Sequence, residues 1–68
     1  MQTIYVDAWE RGTGRPLWFV IHNYPNAIIF EDVFKFIQAE GYELDDLCDV
    51  DTEEPDFEDD IEVIKLAY

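Results

Sequence analysis

The sequence has no serine, one histidine (His22), one cysteine (Cys48) and only four basic residues, Arg11, Arg15, Lys35 and Lys65. Each scarcity excludes something. Without serine there is no serine nucleophile. A catalytic histidine needs a nucleophile or an orienting partner, and alternation instead puts His22 on a strand face with Trp18 and Val20, where a structural or surface histidine belongs. One cysteine cannot form an internal disulfide, which suits a reducing cytoplasm. Asp46 and Asp49 flank that cysteine and oppose thiolate formation, so Cys48 reads as a small, half-buried apolar residue and not as a nucleophile paired with His22. The opening residues, Met1 to Asp7, hold no basic region and no long apolar run, so neither a signal peptide nor a membrane span is expected. The expectation is a cytoplasmic protein that is not an enzyme and needs no cofactor.

The shortage of base leaves seventeen acids unopposed, for a net charge of −13. Such a field repels nucleic acid and anionic membranes and attracts basic proteins. A disordered acidic tail would lack large apolar side chains, whereas this chain carries five Phe, four Tyr and two Trp beside many Ile, Val and Leu. Sixty-eight residues suffice for one domain spanning 1–68, and its core must be dense because small domains bury little surface.

Residues 3–10 alternate, with Ile4, Val6 and Ala8 on one face and Tyr5, Asp7 and Trp9 on the other, which predicts a strand. Arg11-Gly12-Thr13-Gly14-Arg15-Pro16 is a turn, and Leu17 to His22 makes a second strand, so the two form an antiparallel hairpin. A helix follows, with its N-cap at Asn26 or its start nearer Glu31. Phe30, Val33, Phe34 and Ile37 make its apolar stripe and Gly41 its stop. Glu31 and Asp32 in its first turn suit the positive end of the helix dipole. Residues 42–50 fit helix or strand, and Asp60 to Tyr68 suits a final strand that pairs with the hairpin. The expected fold is α+β, in the order β-β-α-β: a small antiparallel sheet, one helix on one of its faces, and an acidic segment before the last strand.

That acidic segment holds twelve acids and no base: Glu43, Asp45, Asp46, Asp49, Asp51, Glu53, Glu54, Asp56, Glu58, Asp59, Asp60 and Glu62. Leu44, Leu47, Cys48, Val50, Phe57 and Ile61 interrupt it at intervals that can anchor it to a core. Asp49, Asp51, Glu53 and Asp60 match some positions of a calcium loop, but Glu54 stands where its sharp turn requires glycine and Asp60 where it requires a longer bidentate Glu. No metal site is therefore expected. Gly12-Thr13-Gly14 lies between strands, where it cannot form a phosphate cradle at a helix N-terminus. What remains is charge spacing. Asp49, Asp51 and Glu53 fall at every second residue, as do Asp56, Glu58, Asp60 and Glu62, so in an extended chain each row would set charges roughly 6 to 7 Å apart on one side. The net charge equals that of roughly 22 Å of DNA duplex. These twelve acids are the expected partner-binding residues. The partner is a basic protein, a nucleic-acid-binding enzyme or complex, with no direct contact to nucleic acid or membrane.

In size, charge and aromatic core (Ile4-Tyr5-Val6, Leu17-Trp18-Phe19-Val20 and the acidic run from Glu43 to Glu62), the chain resembles small phage-encoded inhibitors of bacterial defence. Anti-CRISPR and anti-restriction proteins are the main examples, and many act as nucleic-acid mimics. The resemblance implies an inhibitor that binds the basic nucleic-acid-binding surface of a host defence protein, inside the bacterial cell. Two alternatives stand beside it: an antitoxin or immunity protein covering a basic partner such as a nuclease toxin, and a cation-binding module. A monomer or a homodimer joined through Tyr5, Trp9 or Trp18 fits the same pattern.

Overall fold

The computed structural model describes residues 1–68. The two alternating segments form β1 (Gln2–Glu10) and β2 (Pro16–Tyr24), which pair antiparallel with Val6 opposite Phe19 and Ala8 opposite Leu17. Gly12 and Gly14 take φ of 90° and 69°, and these positive values let the chain reverse between Glu10 and Arg15. The helix α1 (Phe30–Ala39) follows, then β3 (Leu44–Asp51) and β4 (Glu62–Ala67). The strand order is β3-β1-β2-β4.

The α+β class and the β-β-α-β order stand; one open alternative is resolved and one detail differs from the expectation. Residues 44–51 are a strand, antiparallel to β1, so the sheet has four strands. The last strand does pair with the hairpin, but β4 runs parallel to β2 and the sheet is mixed. The reason is the route of the chain. β3 ends on one edge of the sheet, and residues 52–61 cross to the opposite edge before β4 begins, a crossover that parallel neighbours require.

The helix has Ile29 as its N-cap, with no side chain bonded to its first turn, so Asn26 is not the cap. Asn26 is engaged elsewhere: its Nδ2 donates to Tyr68 Oη at 3.3 Å and its carbonyl accepts from Gln2 Nε2 at 3.2 Å. Gly41, at φ 102°, ends the helix as expected. The apolar stripe divides: Val33 and Ile37 are fully buried, Phe34 is half-buried and Phe30 is exposed.

Under α1 lies the core. Ile4, Val6 and Ala8 of β1, Leu17, Phe19 and Ile21 of β2, and Leu44 and Leu47 of β3 meet Val33 and Ile37. None of the core side chains exceeds 8% exposure, and no polar or charged residue is buried. Phe19 closes edge-on against Tyr42 with ring centroids 5.3 Å apart, a geometry that adds about 0.5 to 1.5 kcal/mol beyond burial.

Candidate functional site: an acidic edge and strap

The second face of the sheet, away from the helix, carries Tyr5, Asp7 and Trp9 from β1 and Trp18, Val20 and His22 from β2. Over it runs the segment 52–61, here called the strap. One aromatic side chain pins it: the Phe57 ring lies 5.5 Å from Trp18, edge-on, and 6.5 Å from Tyr5. Phe57 is thus an anchor of the acidic segment, as its position in the sequence implied. A cleft of about 410 Å³ opens beside it between Tyr5, Val20, His22, Glu54, Val63 and Lys65.

All twelve acids from Glu43 to Glu62 are exposed. They form one band, which follows the β3 edge through Asp45, Asp46, Asp49 and Asp51, crosses the sheet on the strap and ends at Glu62 where β4 starts. Two of the twelve are ion-paired: Asp45 with Arg11 at 3.8 Å and Glu62 with Arg15 at 3.1 Å. The other bridges use Glu10, 3.2 Å from Arg15, and Glu31, 3.1 Å from Lys35. The spacing of the band differs from the expected rows. Asp49 and Asp51 share a face of β3, but Glu53 lies beyond that strand. A turn closed by Ile61 N–H donating to Glu58 O at 3.2 Å breaks the row Asp56, Glu58, Asp60, Glu62. The strap is irregular because it crosses β1 and β2 from one edge of the sheet to the other instead of pairing with a strand. It presents a patch of charge and no straight line.

Asp7 belongs with this band although it lies far from it in sequence. It stands opposite Asp49 in the β1–β3 register, with Asp51 also on β3 beside it. Partial burial, followed by repulsion from Asp49 and Asp51, raises its pKa above the usual Asp value. The alternation that set Asp7 on the second face was legible, but its pairing with β3 was not. Glu10 shows the opposite behaviour at the hairpin end. Its carboxylate accepts from Thr13 Oγ1 at 2.7 Å and from Arg15 Nη2 at 3.2 Å, and these bonds hold its pKa below the usual Glu value. The hairpin is tied to β3 there by Arg11 N–H donating to Glu43 O at 3.1 Å.

Cys48 is exposed, not half-buried, because a register shift in β3 between its partners Asp7 and Ala8 turns it outward. Its thiol pKa is raised, first by desolvation and then by the charge of Asp7, with smaller contributions from Asp46 and Asp49 against an opposing contact from Trp9. A thiolate is disfavoured at this position. His22 is exposed, with Nδ1 3.3 Å from Thr3 Oγ1, and stands apart from Cys48, on β2 with β1 between it and β3. No three His, Cys, Asp or Glu side chains converge in a way that could hold a metal ion. No helix is long and apolar enough to cross a membrane.

Comparison with protein-family models, with curated proteins and with solved structures gives no match. The site is therefore interpreted from its own chemistry.

Proposed function

We propose that this chain is an inhibitor that occupies the basic nucleic-acid-binding surface of a bacterial defence protein or complex, standing in for the nucleic acid. The observation that carries the proposal is the exposure of all twelve acids in one band with only two of them neutralised. A charge run kept only for solubility could be dispersed over the surface. This one is concentrated, and its self-repulsion costs stability. The scale also fits. Thirteen net charges along a long axis of 31 Å amount to about one per 2.4 Å, approaching the one per 1.7 Å of duplex DNA. A groove lined with Lys and Arg for phosphates meets comparable charge here, on a body 24 by 17 Å in its other dimensions. Binding would displace counterions from both surfaces, so it would be fast, steered and weakened by salt.

The test uses Asp56, Glu58, Asp59 and Asp60, which make no ion pair within the fold, replaced together by Asn or Gln. The variant should fold at least as stably as the wild type. Tagged wild-type protein in bacterial lysate should retain a basic nucleic-acid-handling protein at low salt and lose it to added DNA or RNA. The purified partner should then bind the fourfold variant more weakly and with a shallower salt dependence. Equal affinity and equal salt slope for the two proteins, with no competition by nucleic acid, would reduce the band to a solvated surface.

A further inference from the structure

The sheet has two free edges, and they are protected unequally. β3 is closed to another strand in three ways: its register shifts twice, its exposed side chains are mostly carboxylates, and two of its amides are taken by side chains of the preceding residues. Asp46 Oδ1 accepts from Leu47 N–H at 2.8 Å, and Asp49 Oδ1 accepts from Val50 N–H at 2.9 Å. These are the devices by which proteins guard an edge. β4 is guarded only by its shortness and its two charges. Its six residues pair with β2 in unbroken register, contain no proline and include only two charges, Glu62 and Lys65, and no side chain bonds to its backbone. Tyr68 N–H donates to His22 O at 2.9 Å, toward β2. Alternation then turns the amides and carbonyls of Val63, Lys65 and Ala67 to the open side.

We infer that the open edge of β4 accepts an extended strand from the basic partner, paired antiparallel, with Arg or Lys at the end that lies beside the start of β4. This inference rests on the proposed function and specifies the mode of binding. Main-chain hydrogen bonds supply the affinity in such an addition, and side chains supply the choice. The charge requirement comes from the cleft at the start of β4, about 410 Å³, which is lined by Glu58, Asp59, Asp60 and Glu62 with Arg15 as its only base. A second copy of this chain is the poorer occupant, because it would bring two bodies of net charge −13 together along one short strand.

The test pairs Lys65→Thr with Lys65→Pro. Both remove the same charge, but only proline removes an outward amide, and it leaves the bonds to β2 in place. The probe is a short capped peptide of alternating threonine and valine ending in Arg-Arg; its control is N-methylated at alternate residues. The peptide should shift the amide resonances of Val63, Lys65 and Ala67, bind Lys65→Thr like the wild type and bind Lys65→Pro about tenfold more weakly. The methylated peptide should leave those resonances unmoved, a result that does not depend on whether Lys65→Pro folds. Equal binding of both peptides, or of both variants, would overturn the inference. Concentration-dependent dimers abolished by Lys65→Pro would also overturn it, in favour of a second copy. Oligolysine separates this inference from the broader reading: it should bind the two variants alike, and at least as tightly as the wild type, through the acids, and failure to bind the wild type would sink the charge argument itself.

Discussion

Helix α1 and the acidic strap cover opposite faces of the same four strands, and they do so with different materials. The helix face is closed by Val33 and Ile37 over a layer of Ile, Val, Leu and Phe, and it holds no buried polar group. The strap face is closed by one aromatic, Phe57 on Tyr5 and Trp18, with Pro55 and Ile61 partly buried beside it, carboxylates around them and Asp7 half-buried below. One face holds the fold together, and the other presents charge at the cost of incomplete burial. The division lets a domain of this size carry an acidic surface, because the repulsive side is not asked to stabilise the sheet.

Phe19→Ala should break the comparison from the stable side. Phe19 is fully buried against the helix, and deletion of such a ring costs about 3 to 5 kcal/mol, much of the stability expected of a small domain. Loss of the cooperative thermal transition is the expected outcome; a midpoint near that of the wild type would remove Phe19 from the load of the core. Phe57→Ala should have a smaller and more local effect, about 1 to 3 kcal/mol, because its ring is only half-buried. Hydrogen exchange should show amides in 52–61 losing protection while those of β1 and α1 keep theirs. Uniform loss across both faces would mean that the strap and the core unfold as one unit.

The smallest effect concerns Asp7. Its folded-state pKa is raised, so the folded protein binds this proton more readily than the unfolded chain does. Stability should therefore increase as pH falls from neutrality through the raised pKa, and the gain is complete below the ordinary Asp range. Glu10, whose pKa is lowered, works in reverse, and its contribution is lost only at lower pH, as its folded-state value is passed. Thermal midpoints should thus climb on mild acidification before they fall. Asp7→Asn should raise the midpoint at neutral pH and flatten the climb; an undiminished climb in that variant would assign the effect to other carboxylates.

The helix face was largely legible in the sequence, and the strap face was not. Alternation in Ile4-Val6-Ala8, the spacing of Val33 and Ile37, and Gly41 as a stop all act locally, and the fold keeps them. β3 was ambiguous for a physical reason. Leu44, Leu47 and Val50 all turn toward the core although they are three residues apart, because the two register shifts absorb the extra residues. A spacing of three imitates a helix. The acids themselves were identified, but their arrangement was not, because the turn at Glu58–Ile61 and the approach of Asp49 to Asp7 depend on a crossing that no local pattern records.

The register of the outer strands also determines where the domain can be attached to something else. Gln2 lies opposite Tyr24, and Ala67 lies beside His22, so both chain ends emerge at the same end of the sheet on either side of β2. The hairpin turn and the cleft of Glu58, Asp59 and Asp60 lie at the other end. Tyr68 is held against Tyr24 and Phe36, with ring centroids at 5.3 and 5.0 Å, which fixes the direction of the exit. A tag or domain fused at either terminus is therefore attached at the end of the sheet opposite the cleft of Glu58, Asp59 and Asp60.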